Sequence, residues 1–136
     1  MQDARGHQPP GQTSHSAQRP AQRMCAHSLG FDLEQELDRL CREDMWRRGD
    51  RNGKTLVKGP NLHVTLTALK AGACLCPHQT PGAVTIQMLR GRLDVSVRGE
   101  HVDMMAGDLL ALDAGVQHSL HALDESAFLL TIGWPD

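Results

Sequence analysis

Tyrosine is absent from this chain of 136 residues, and two phenylalanines and two tryptophans bring the aromatic share to only 3%. So few rings offer no platform on which bases could stack. A net charge of -2 removes the basic surface that nucleic acid would require. Long apolar runs are missing too, and none approaches the roughly 18 residues that a membrane helix needs. The N-terminal stretch QDARGHQPPGQTSHSAQRPAQR lacks the apolar core of a signal peptide, so a cytoplasmic location is expected. In that compartment Cys25, Cys41, Cys74 and Cys76 are expected as thiols. The i, i+2 spacing of Cys74 and Cys76 is not the CxxC of zinc or thioredoxin sites. Nucleophile-elbow, phosphate-loop and dinucleotide fingerprints are likewise missing.

What is present suits one domain with a real core. Residues 1–28 are rich in Gln, Pro, Gly, Ser, His and Arg, and cannot bury enough apolar surface to offset their ordering entropy. They are expected as a disordered, solvated tail, with His7 and His15 at most loose chelators. Residues 29–50 carry one short amphipathic helix. Asp32 is the expected N-cap, with Gln35 three positions on. Leu33, Leu37, Leu40 and Cys41, with Met45 next in the series, form an apolar stripe, Arg47 and Arg48 suit the C-terminal end, and Gly49 stops the run. Such a stripe must cover a surface, either the outside of the main domain or a partner subunit, with Trp46 as anchor.

Residues 51–136 alternate short apolar runs with glycine turns. LHVTLTALK, AVTIQML and RLDVSVR read as strands, separated by turns at Gly59-Pro60-Asn61, Arg90-Gly91 and Gly99-Glu100. Eight or nine strands at this spacing predict an all-β sandwich or barrel, of which a jelly roll is one form. His63 is expected on a strand surface and His101 with Asp103 in solvent. Met88, Met104 and Met105 are expected as core or pocket lining.

Two stretches then resemble a known family. GACLCPHQTPGAVTIQMLRG is similar to the first cupin motif, G-x5-H-x-H-x3-4-E-x6-G, and GDLLALDAGVQHSLHA to the second, G-x5-P-x-G-x2-H-x3-N. Gly72, His78 and Gly91 match the first; Gly107, Gly115 and His118 match the second. The resemblance spans about residues 53 to 134 and implies a cupin jelly-roll barrel, or double-stranded β-helix, with an interior pocket. In metal-binding cupins it implies a divalent metal held by three histidines and a glutamate. Here Thr80 and Val84 stand at the second histidine and the glutamate, Asp113 at the proline and Ala122 at the asparagine. Two of the four ligand positions remain, His78 and His118.

The same answer follows from donor chemistry, since a transition metal usually takes at least three protein ligands and Val84 offers none. Cys76, two residues before His78, would share its face on an uninterrupted strand. A rearranged His78, His118 and Cys76 set could hold Zn, Ni, Fe or Cu. The expectation carried forward is a small-molecule pocket lined by His78, Thr80, Val84, Ile86, Met88 and His118, with a binding or sensory role. The alternative is a metal-dependent dioxygenase or isomerase. Open sheet edges further predict a homodimer.

Overall fold

The computed structural model describes residues 27–134, so the N-terminal tail, with His7, His15 and Cys25, lies almost wholly outside the described residues. The helical region forms as two short pieces, α1 (Leu33–Leu40) and α2 (Asp44–Arg48), rather than one. Asp32 caps α1 as its position predicts, its carboxylate accepting the Gln35 N–H at 3.2 Å. The break has a tertiary cause. Asn52, from the first strand, donates through Nδ2 to the Leu40 carbonyl at 2.9 Å and to Glu43 Oε1 at 2.8 Å. It thus gives the Leu40 carbonyl a shorter bond than the 3.4 Å one it accepts from Glu43 N–H, and fixes Glu43, whose extended backbone starts α2.

Nine strands follow among the described residues: β1 (Arg51–Lys58), β2 (Leu62–Leu69), β3 (Cys74–His78), β4 (Ala83–Arg90), β5 (Arg92–Val97), β6 (Glu100–Met105), β7 (Leu109–Leu112), β8 (His118–Ala122) and β9 (Ser126–Gly133). All pair antiparallel in two sheets, ordered β1-β2-β9-β4-β7 and β3-β8-β5-β6. This is the expected all-β jelly roll, with the two sheets facing each other over a common core. Val84, Ile86 and Met88 of β4 enter that core with Leu93 and Val95 of β5, as period-two alternation requires.

A second apolar layer lies on the other face of the larger sheet. Leu37, Leu40 and Trp46 pack there against Leu56, Leu66 and Ala127, so the helices cover the outside of the barrel, while Met45, expected on the stripe, is exposed because the chain breaks between α1 and α2. Lys70 crowns this layer, its ammonium 5.0 Å from the Trp46 ring. β2 therefore touches both layers: Leu66 and Ala68 meet the helices, and Leu69, at the end of a face otherwise made of His63, Thr65 and Thr67, meets the inter-sheet core.

Turn chemistry sets the corners. Gly91 has φ 80°, and a Cβ there would run into the Glu125 carbonyl and Ser126 Oγ. The β5–β6 hairpin turns on Arg98 and Gly99, with φ 51° and 82°, the two consecutive positive values of a type I′ turn. Among the described residues no helix is long and apolar enough to cross a membrane.

Candidate ligand site at the His78–His118 register

The two motif histidines, forty residues apart in sequence, are Cα partners across β3 and β8. Pro77 explains how they come into register. Leu75 pairs with Leu120 and His78 with His118, so three steps along β3 match two along β8. Proline has no N–H to give the ladder and is tolerated at edges and bulges, and β3 is an edge strand. Without the extra residue, strict alternation would leave His78 out of step with His118.

His118 is 2% exposed. It lies on the same face of β8 as Leu120 and Ala122, which belong to the inter-sheet core. Its Nδ1 is 3.1 Å from the Val116 carbonyl. A carbonyl can only accept, so Nδ1 carries hydrogen there, and in the neutral ring Nε2 is the basic nitrogen. Across β8, the Cα partner of His118 on β5 is Val97.

The other motif positions are spent on structure. Thr80 is half-buried, its hydroxyl donates to the Gly82 carbonyl at 2.8 Å, and its own carbonyl accepts from Gly115 N–H at 2.8 Å. Val84 is packed in the core with Ile86 and Met88. Cys76 is exposed, and the bulge separates it from His78, so the uninterrupted strand face expected for these two does not form. Cys41, Cys74 and Cys76 are thiols rather than disulfides. Among the described residues, no three His, Cys, Asp or Glu side chains converge in a way that could hold a metal ion.

The remaining sequence candidates separate clearly. His63 is half-buried, with its ring edge-on to Trp134 at 4.4 Å. His101 is exposed, with Nδ1 2.9 Å from Asp94 Oδ2. Asp103 is exposed too, but it accepts two hydrogen bonds from Arg92, at 3.0 and 2.9 Å. Met88 and Met104 are core, whereas Met105 is 54% exposed, against expectation, because it ends edge strand β6 on the outward face. The buried polar set of Glu36, Asn52 and Lys54 was not anticipated. Its signal was weak: an asparagine and a lysine on alternating positions of an otherwise strand-like run.

Known proteins agree with this fold. A family model described as "Cupin domain" matches residues 65–133, half of the chain. The chain belongs to the cupin family. Among solved structures, this cupin is similar to a conserved Streptococcus pyogenes protein of unknown function (TM-score 0.65, 24% identity, 82% of this chain and 91% of the other). It is also similar to a salicylate 1,2-dioxygenase variant from Pseudoaminobacter salicylatoxidans (TM-score 0.68, 17% identity, 76% of this chain and 34% of the other). A third is a cupin 2 conserved barrel domain protein from Leptotrichia buccalis (TM-score 0.61, 30% identity, 64% of this chain and 42% of the other). No curated protein matches the chain.

Cupins often bind a divalent metal, and this cupin's motif residues do not fit the usual four-ligand set. The hydroxyl at position 80 is committed to Gly82, and position 84 holds a buried aliphatic side chain.

Proposed function

We propose that this cupin binds a small organic molecule beside His118, between the two sheets, in a binding or sensory role. The observation that carries the reading is one buried imidazole in an apolar layer. Of the buried polar residues described, Glu36, Asn52 and Lys54 serve the helix contact and Ser126 serves the Arg92 turn. Ser126 shares a core-facing strand side with Phe128 but spends its hydroxyl on the Arg92 turn, whereas His118 brings an imidazole to the core-facing side of β8. A single basic nitrogen in such surroundings suits a ligand that presents a hydroxyl or an acid to it. A homodimer belongs to the same proposal. Met105 and Leu109, 54% and 64% exposed around the turn into edge strand β7, are apolar side chains that such a contact would cover.

The test is a thermal-shift screen of small carboxylates, phenols and sugars on tag-free protein, with metal analysis of the same sample. A ligand at a hundred times its Kd adds about 2.7 kcal/mol to stability. The expected result is a stabilising compound whose shift disappears in His118→Phe while the variant stays folded. A flat screen overturns the reading. So does one equivalent of bound metal that His78→Ala removes, which would install the metal enzyme instead. Light scattering giving the mass of one chain would overturn the dimer.

A further inference from the structure

We propose that the ligand beside His118 is a planar aromatic molecule bearing an acid or hydroxyl group, and that His63 and Trp134 form the wall against which its ring packs. This rests on the ligand reading above and adds the class of molecule. The placement follows from register. On the larger sheet His63, Ile132, Val84 and Leu112 are successive Cα partners, a row across β2, β9, β4 and β7. Ile132, Val84 and Leu112 pack in or against the inter-sheet core, so His63 lies on the core-facing side of β2. On the smaller sheet His118 stands in a row with Val97, also packed against that core. Both rows lie at one end of the barrel. His78 ends β3 and Ala83 opens β4, while Leu112 ends β7 and His118 opens β8. The two connecting loops are tied there by the Gly115 N–H, which donates to the Thr80 carbonyl at 2.8 Å. Facing sheets stand about 10 Å apart, so His63 and His118 enter the same end of the sandwich from opposite sides.

Trp134 completes the wall. Phe31 and Trp46 pack in the helix layer and Phe128 in the inter-sheet core, whereas Trp134 belongs to neither cluster. It is half-buried just past β9, and its ring meets that of His63 at 4.4 Å between centroids with the planes 72° apart. Its backbone is fixed from two sides. The Trp134 N–H donates to the Asn61 carbonyl at 3.0 Å, in the turn that leads into β2. Gly133 before it lies so close to Gly82 that a Cβ at Gly82 would run into the Gly133 carbonyl. The indole is thus anchored between the turn into β2 and the loop that leaves His78. A wall held in place beforehand loses little freedom when a ligand settles on it.

The wall selects the class of ligand. Aromatic rings attract one another edge-to-face or offset, beyond what the buried area alone supplies, and a saturated ring of the same size forgoes that term. Ile132 and Val84, beside His63 in its row, add apolar surface. A sugar or a short aliphatic acid would engage the imidazole of His118 and gain nothing from the two rings. A phenol or an aromatic acid uses both.

The experiment titrates the full-length, tag-free chain with matched pairs, benzoate against cyclohexanecarboxylate and phenol against cyclohexanol, following thermal shift and tryptophan emission. The aromatic member is expected to bind about threefold to tenfold more tightly than its saturated partner. Its binding should change the emission, and that change should vanish in Trp134→Leu. The same variant should bring the two members to equal affinity, and His63→Leu repeats the test at a residue outside both apolar clusters. His118→Phe should abolish binding of both members. A purely structural plug would lower the unfolding temperature of Trp134→Leu without moving the aromatic-to-saturated ratio, and that result overturns the wall. So does equal affinity in the wild type, or stabilisation by sugars or aliphatic acids alone, each of which leaves the His118 reading standing. A flat response to every compound overturns both.

Discussion

Lys54 Nζ lies 2.7 Å from Glu36 Oε1, inside the contact that fastens α1 to β1, with the two side chains 7% and 2% exposed. Removing Lys54 leaves the buried Glu36 carboxylate with the partly exposed Arg39 guanidinium, at 3.8 Å, as its described ion-pair partner, a weaker compensation than the buried ammonium. Lys54→Met should therefore cost about 3–5 kcal/mol, and adding Glu36→Leu should recover most of that loss. Urea unfolding of the two variants checks it. Equal destabilisation in the single and double variants would show that Arg39 suffices to hold the carboxylate.

Gly91 and Gly107 are both motif glycines with positive φ, at 80° and 96°, but their surroundings differ. An added methyl meets the Glu125 carbonyl and Ser126 Oγ at Gly91, and nothing within 4 Å at Gly107. Gly91→Ala should cost about 2–5 kcal/mol through strain and overlap together, while Gly107→Ala should carry the backbone strain alone, about 1–2 kcal/mol. Similar losses at both sites would refute the crowding argument.

Arg98 is the described non-glycine residue with positive φ. Asparagine enters that region more readily and, with Gly99 after it, makes the favoured I′ pair. Arg98→Asn should stabilise the barrel by about 0.5–1 kcal/mol, read as a higher urea midpoint at unchanged slope.

The Arg92 hydrogen bond holds the Asp103 carboxyl below its ordinary value of 3.8, and Arg51 does the same for Asp50. The folded state then binds fewer protons than the unfolded chain in this range. Each contribution is complete above about pH 3.8 and fades as the pH falls through the lower folded value. Asp103→Asn should therefore flatten the acid limb of stability against pH, and high salt should shrink the difference because the pair is exposed. An unchanged acid limb in the variant would mean that the pair contributes nothing in solution.

Burial raises the Cys41 thiol pKa, with the Glu125 charge as the next cause, whereas Cys74 and Cys76 are exposed. Iodoacetamide at neutral pH should label Cys74 and Cys76 well before Cys41, as peptide mass mapping would show. Labelling of Cys41 first would contradict the packing of the helix layer.

The strands and turns of the barrel were legible because their causes are local. Alternation in AVTIQML and RLDVSVR places Val84, Ile86, Leu93 and Val95 inward, and the capping of α1 by Asp32 needs residues no further away than Gln35. The helix break was not legible. Asn52 reaches Leu40 across twelve positions, and no periodicity within residues 31–48 reports that bond. Met105 misled for a similar reason, since a methionine run carries no mark of which residue ends an edge strand.

The sequence by itself determined the family and its departures: glycine-framed spacing at Gly72, Gly91, Gly107 and Gly115, and non-ligating side chains at Thr80 and Val84. These are properties of residue identity and of local turn chemistry. Only the tertiary structure decided the register. The bulge at Pro77 brings His78 level with His118 and leaves Cys76 on the surface, and the helices take the outer face of β1, β2 and β9. Register and coverage depend on pairs far apart in the chain, whose closeness is set by the packing of two sheets and a helix layer.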